Sequence, residues 1–108
     1  MTVTTDTTVE QEVAVLAKAL GHPARVRIMR LLFARDACYC GQLVDELSLA
    51  QATVSQHLKV LKDAGLIAGD IDGPRICYWA SHERLAELRD LVGVILDDAM
   101  EVDTSACE

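Results

Sequence analysis

Aromatic residues are scarce in this chain of 108 residues, which has one Trp, one Phe and two Tyr. Proline occurs only twice, and no apolar run approaches the roughly 18 residues that a membrane-spanning helix needs. The N-terminus has neither the basic nor the apolar segment of a secretory signal peptide. These absences predict a soluble, cytoplasmic protein with no membrane partner, and the length predicts one domain with a modest core.

Residue patterns that are typical of enzymes are missing as well. The sequence has no nucleophile motif and no Gly-rich phosphate loop, and its three histidines, His22, His57 and His82, are scattered along the chain. The sequence therefore predicts a protein that is not an enzyme.

The net charge of −7 is unevenly distributed. Residues 1–17 carry −3 and residues 81–108 carry −6, whereas residues 18–80 carry eight Lys and Arg against six Asp and Glu. A central segment that is basic relative to both ends can present a basic face to nucleic acid. The charge distribution alone is weak evidence for nucleic-acid binding.

The first third of the chain is predicted to form two helices, because its apolar residues recur with a helical period. The first helix is predicted to begin at Thr7 or Thr8, in a capping-box pattern, and to end near Leu20. The second is predicted to begin with Pro23 in its first turn. Its buried face is predicted to consist of Val26, Met29, Leu32 and Phe33.

Two short amphipathic segments follow, "GQLVDEL" and "QATVSQHLKVLKDAG", with a break between them. This layout is typical of a helix-turn-helix, whose second helix enters the major groove of DNA, and Gly65 is predicted to end that helix. The candidate DNA-binding residues on its polar side are Gln51, Thr53, Ser55, Gln56, Lys59 and Lys62. The alternative is that the polar side of this helix is an ordinary solvent-exposed face that contacts no DNA. His57 is interpreted as a half-buried structural residue.

The segment "LIAGDIDGPRICYWAS" reads as strand, Asp-Gly-Pro turn and strand, which predicts a β-hairpin. A hairpin directly after a helix-turn-helix is a wing, and Arg75 on it is a further candidate contact to DNA. The predicted fold is therefore mainly α with a small β-wing, a winged helix-turn-helix in the order ααααββα. It is predicted to occupy residues 8–101, between flexible tails at residues 1–7 and 102–108.

A long helix is predicted after Ser81, with apolar residues spaced so that they can face another helix. A domain of this size has too little core to cover such a stripe, which predicts a homodimer. The predicted interface residues are Leu16, Leu85, Leu88, Val92 and Ile95.

Cys38 and Cys40 stand two residues apart just before the predicted helix-turn-helix. In an extended segment, residues i and i+2 point the same way, so that both sulfurs can approach one ion. Soft thiolates select thiophilic ions such as As(III), Sb(III), Cd(II) or Pb(II) over Mg²⁺ or Ca²⁺. The alternative is a pair of small buried apolar residues.

Four stretches of the sequence, "LAKALGHPARVRIMRLL", "CYCGQLVDEL", "AQATVSQHLKVLKDAGLI" and "GPRICYW", resemble the ArsR/SmtB family of winged-helix metalloregulators. The resemblance implies a dimeric repressor that binds operator DNA when metal-free and leaves it when a metal or metalloid binds. The arsenic-responsive branch, with the cadmium and lead sensors, is most similar because it carries a Cys-x-Cys box where Cys38 and Cys40 stand. The implied inducer is As(III), with Sb(III), Cd(II) or Pb(II) as alternatives.

An As(III) site would need a third sulfur ligand besides Cys38 and Cys40, because As(III) takes three thiolates. Cys77 is favoured, since the extended piece before the helix-turn-helix of winged-helix domains often pairs with the second wing strand. Cys107 in the C-terminal tail, which could reach across the dimer, is the alternative.

Two other functions stay open at this point. One is a repressor of the same fold that responds to thiol oxidation or persulfidation, and the other is a metalloid-buffering or protein-interaction domain that binds no DNA. A departure from the family is Ala50, where many members have a Ser that caps the recognition helix, and a Ser at that place is worth about 1 kcal/mol.

Overall fold

A computed structural model describes residues 2–101 and, within them, the side chains of residues 8–71 and 73–98. Over this range the chain forms five helices and three strands. In chain order these are α1 Thr2–Ala19, α2 Pro23–Arg35, β1 Cys38–Tyr39, α3 Cys40–Leu47, α4 Gln51–Asp63, β2 Ile67–Asp72, β3 Arg75–Ala80 and α5 His82–Glu101.

The first two helices differ from the predicted ones in detail. Helix α1 begins at Thr2 rather than at Thr7 or Thr8. Helix α2 has Pro23 in its first turn as predicted, and His22 caps it by accepting a hydrogen bond from the Ala24 N–H at its Nδ1, at 3.0 Å. This cap was not predicted from the sequence, and the predicted flexibility of the tails stays a prediction.

The predicted buried face of α2 is partly wrong. Ile28 is buried together with Met29 and Leu32, whereas Val26 is 42% exposed. The buried arc of the helix is centred on these three residues, and Val26 lies beyond its edge.

Helices α3 and α4 form the predicted helix-turn-helix. Helix α3 ends at Leu47 and is capped by Ser48, whose backbone adopts the left-handed conformation with φ 56° and whose N–H donates to the Val44 carbonyl. Helix α4 starts after Ala50 without a side-chain cap, so Ser48 caps α3 and does not replace the missing Ser. Gly65, with φ 79°, follows the end of α4 as predicted.

The three strands form one antiparallel sheet in the order β1-β3-β2. Strands β2 and β3 are the predicted wing, turned at Gly73 with φ 63°. Strand β1, the extended piece before the helix-turn-helix, pairs with the second wing strand as predicted, with Cys38 opposite Tyr78 and Tyr39 opposite Cys77.

One hydrophobic core lies between α2, α3, α4 and the sheet, and α1 and α5 pack across it. Leu16 is fully buried in this core, so it has no surface left for a partner, and its assignment to the dimer interface is wrong. Leu85 and Leu88 pack against the core and are half-buried, whereas Val92 and Ile95 remain 42% and 49% exposed. No helix within the described residues is long and apolar enough to span a membrane.

Candidate nucleic-acid interface and thiol site

Helix α4 separates an apolar side from a polar one. Val54, Leu58 and Leu61 are buried, and the opposite side faces solvent. Of the seven candidate DNA-binding residues, Thr53 is half-buried and six are exposed, namely Gln51, Ser55, Gln56, Lys59, Lys62 and Arg75. Lys59 Nζ lies 3.1 Å from Asp63 Oδ2, but both side chains are well exposed, and such a pair is weak enough to exchange for a phosphate.

The two neighbouring thiols have different surroundings. Cys38 is 1% exposed and belongs to the core, whereas Cys40 is half-buried at the first position of α3. The pKa of Arg35 is raised, mainly by its hydrogen bond to Glu46 and to a smaller extent by Cys38, which places the guanidinium beside the Cys38 sulfur.

Cys40 lies against the recognition helix and the wing. Its Sγ is 3.8 Å from Ser55 Oγ on α4. Burial raises the pKa of the Tyr78 phenol, and Cys40 contributes a smaller increase, which places this sulfur near β3 as well. The thiol therefore lies where the recognition helix and the wing meet.

Cys77 does not join the other two thiols in one site. It lies opposite Tyr39 in the β1–β3 pairing, whereas Cys38 lies opposite Tyr78. Because side chains alternate between the faces of a sheet, Cys77 and Cys38 point to opposite faces. Among the described residues, no three His, Cys, Asp or Glu side chains are grouped so that they could hold a metal ion. The pairing of the strands was predicted correctly, but the ligand set Cys38, Cys40 and Cys77 is not assembled.

Comparison with known proteins identifies the family. The family model for bacterial regulatory proteins of the arsR family matches residues 22–68. The transcriptional regulator CmtR of Mycobacterium tuberculosis is 38% identical over 88 residues, which are 81% of this chain and 74% of CmtR. The chain belongs to the ArsR family of transcriptional regulators.

Two solved structures show the same fold as this ArsR-family chain. One is the NMR structure of a homodimeric winged helix-turn-helix DNA-binding domain of a possible ArsR-family regulator from Mycobacterium bovis, with 29% identity, a TM-score of 0.68, and coverage of 89% of this chain and 88% of that one. The other is the crystal structure of a possible transcriptional regulator for arsenical resistance, with 29% identity, a TM-score of 0.63, and coverage of 80% and 83%.

Two arginines hold the recognition helix of this regulator against α1. Arg25 donates from Nε to the Ala19 carbonyl at 2.6 Å, and its Nη1 lies 3.2 Å from His57 Nδ1 in the middle of α4. Arg84 donates from Nε to the Ala64 carbonyl at the end of α4, at 3.0 Å, and from Nη1 to Glu12 Oε1 on α1, at 2.8 Å. The orientation of α4 is therefore tied at two points to helix α1.

Neither arginine could be predicted from the sequence, because each contacts backbone carbonyls or residues far along the chain. His57 was interpreted as structural, and the structure supports this, since the residue is only 9% exposed and its ring centroid lies 4.5 Å from that of His22. Burial, and to a smaller extent His22 and Arg25, lowers the pKa of His57.

A groove of about 760 Å³ runs between α3, the start of α4 and the wing. Its wall includes the thiol-bearing residue Cys40 and three candidate DNA-binding residues, Gln51, Ser55 and Arg75. A ligand on Cys40 would therefore lie beside the surface that is expected to contact DNA.

Proposed function

We propose that this chain is a homodimeric repressor that binds operator DNA through α4 and the wing and releases it when As(III) binds its cysteine thiolates. The observation that carries the proposal is the contact between Cys40 and Ser55, because it joins a candidate ligand to the exposed side of the recognition helix. Membership of the ArsR family and the similarity to a possible transcriptional regulator for arsenical resistance support it.

The DNA-binding part of the proposal assigns roles by side-chain chemistry. Gln51 and Gln56 have the donor and acceptor groups that read adenine, Ser55 suits a base or a phosphate, and Lys59 and Lys62 suit phosphates. We expect Gln56→Ala to lower operator affinity by about 5- to 150-fold and to relax specificity, as the loss of a base contact does. Lys62→Ala is expected to weaken binding to all sequences and to reduce the salt dependence.

Operator titrations by fluorescence anisotropy at several salt concentrations test these roles. Arg89→Ala on α5 is a matched control, since this exposed arginine lies next to Asp90 and outside the proposed surface. An operator affinity that is unchanged in both Gln56→Ala and Lys62→Ala would contradict the proposed surface.

The dimer is proposed from the exposed end of the α5 stripe and from the homodimeric relative. Two recognition helices related by a two-fold axis can enter successive major grooves when they lie about 34–36 Å apart. An inducer needs only to stabilise a dimer with a different separation, and a coupling of about 3 kcal/mol weakens DNA binding about 150-fold.

For the third ligand we favour Cys107 over Cys77. Cys38 and Cys40 supply two thiolates, and Cys77 points to the other face of the sheet from Cys38. Cys107, which lies outside the described residues, is therefore the candidate that fits the proposal, from the same or the partner protomer. When bound, As(III) would take three thiolates.

X-ray absorption on the arsenite complex counts the sulfur ligands directly. We expect three sulfurs in the wild type and in Cys77→Ser, and two in Cys107→Ser. Operator release by arsenite should be lost in Cys40→Ser and retained in Cys77→Ser. If arsenite, antimonite, Cd(II) and Pb(II) all leave operator binding unchanged, the proposed inducer is wrong.

Thiol oxidation is a second candidate for the switch. It is favoured by the missing third ligand among the described residues, because a disulfide needs only two thiols. Mass spectrometry after mild oxidation distinguishes the two, since a single intraprotein disulfide that abolishes DNA binding, together with no effect of arsenite, would replace the metalloid proposal.

A further inference from the structure

The guanidinium of Arg75 stacks on the ring of Tyr39. The Cζ atom of Arg75 lies 4.1 Å from the centroid of the ring, a distance that is typical of a cation–π contact. Tyr39 is the residue between Cys38 and Cys40, and Arg75 is the first residue of β3, next to the turn of the wing. The contact therefore joins the thiol segment to the wing.

The stacked guanidinium keeps its hydrogen-bonding capacity. The donors of Arg lie in the plane of the group, so a ring against one face leaves the edges open to a phosphate. No carboxylate among the described side chains forms an ion pair with Arg75, and the residue is exposed. The ring thus restricts the arginine without using the atoms that would bind DNA.

We propose that Tyr39 is a positioning residue for DNA binding, which holds Arg75 ready for the DNA backbone and makes this contact sensitive to the state of the flanking thiols. The inference rests on the proposed function, which assigns Arg75 to DNA and As(III) to the cysteines. The ordering of a long, flexible side chain before binding reduces the entropy that binding costs. The gain expected from one cation–π contact is about two- to five-fold in affinity per wing.

The backbone of Tyr39 explains the sensitivity to the thiols. Its N–H donates to Gln42 Oε1 at 2.8 Å, and the residue pairs with Cys77 in the sheet, so that it is held by α3 on one side and by β3 on the other. Cys40 is the next residue and starts α3, while Cys38 is locked in the core. An ion bound by both sulfurs would connect Cys38 in the core with Cys40 at the start of α3, and we expect the peptide units on both sides of Tyr39, and its ring with them, to shift.

A double-mutant cycle on the full-length protein tests the positioning. The variants are Tyr39→Leu, Tyr39→Phe, Arg75→Ala and the double variant Tyr39→Leu/Arg75→Ala, each first checked for its thermal unfolding midpoint. We expect Tyr39→Leu to weaken operator binding about two- to five-fold per wing and Tyr39→Phe, which keeps the ring, to bind like the wild type. Tyr39→Leu should have no further effect once Arg75 is absent.

The cycle also separates this inference from the proposed function. Arg75→Ala should lower the salt slope by about two in a dimer with two wings. If Arg75→Ala changes neither affinity nor salt slope, the proposed DNA contact fails and the inference falls with it. If Arg75→Ala weakens binding but Tyr39→Leu costs the same with and without Arg75, the contact stands and the positioning is overturned.

NMR tests the link to the thiols. The Hδ protons of Arg75 should be shifted upfield by the ring in the wild type and should lose this shift in Tyr39→Leu. Addition of arsenite should move them toward the Tyr39→Leu position in the wild type and leave them unchanged in Cys38→Ser/Cys40→Ser. Operator release by arsenite without any movement of these signals would overturn the coupling.

Discussion

Helices α4 and α5 have similar apolar stripes, but the chain covers only the α4 stripe along its whole length. On α4, Leu58 and Leu61 are at most 1% exposed, because α2, α3 and the sheet surround them. On α5, the stripe is covered as far as Leu91, and beyond it Ile95 and Leu96 are 49% and 60% exposed. The periodicity of a sequence shows which side of a helix is apolar, but only the packing shows whether the chain itself covers that side.

The largest effect is expected from a substitution at the exposed end of the α5 stripe, which is the proposed interface with the partner protomer. Ile95→Asp would place an unpaired charge in each half of the proposed symmetric interface, and a buried unpaired charge costs about 3–5 kcal/mol. We expect the dimer dissociation constant to rise by more than about a hundredfold. Analytical ultracentrifugation over a range of protein concentrations measures it.

Val94→Asp provides the matched control for this change. Val94 is 41% exposed, close to the exposure of Ile95, but it lies about 100° around the helix from Ile95 and outside the apolar stripe. We expect Val94→Asp to remain dimeric. A dimer that is equally stable in both variants would show that the exposed end of the stripe is not the interface.

The buried stripe of α4 should respond through the stability of each subunit. Leu58→Ala removes a side chain that is 1% exposed and leaves a cavity, for which we expect a loss of about 2–5 kcal/mol in the free energy of unfolding. Urea denaturation at a fixed protein concentration measures this, since dimerisation makes stability depend on concentration. Val60→Ala, at a position that is 38% exposed, should lower the free energy of unfolding by less. Equal losses in the two variants would contradict the interpretation that only the Leu58 side of α4 is buried in the core.

The elements that could be predicted from the sequence are those whose pattern repeats along the chain. The helix-turn-helix, the hairpin and the long last helix follow from apolar spacing, from Gly65 and from the Asp-Gly-Pro turn, and the structure confirms them. The pairing of the extended piece with β3 was also predicted correctly.

The predictions that failed depend on which way a single side chain points, and the sequence pattern does not determine this. Cys77 pairs with Tyr39 and not with Cys38, and this register alone turns its sulfur away from the predicted partner. Leu16 lies on an apolar stripe that fits a core and an interface equally well. Arg25 and Arg84 were missed because their partners are carbonyl groups and a distant glutamate, which leave no periodic signal.

A smaller effect is expected at the N-terminus of α4, where Ala50 provides no side-chain cap. Ala50→Ser restores an acceptor for the first free N–H groups and should stabilise the protein by about 1 kcal/mol. Differential scanning calorimetry should show a rise in Tm of about 4–8 °C. Ala52→Ser, inside the helix, is the control and should not raise Tm, because a serine there cannot cap.

The smallest effect is expected from the pH dependence of the contact that anchors α4. An arginine N–H can only donate, so Nδ1 of His57 accepts from Arg25 and the imidazole is neutral. Burial, with smaller contributions from His22 and Arg25, lowers the pKa of His57 from its usual 6.5, so the unfolded chain binds the proton more readily. The stabilisation by neutral His57 is therefore complete above pH 6.5 and is lost as the pH falls below this value toward the lower pKa of the folded state. Urea denaturation between pH 7.5 and 5.5 should show this loss in the wild type and in His82→Gln, and it should shrink in His57→Gln. An equal loss of unfolding free energy in all three proteins would show that His57 is not the source of the pH dependence.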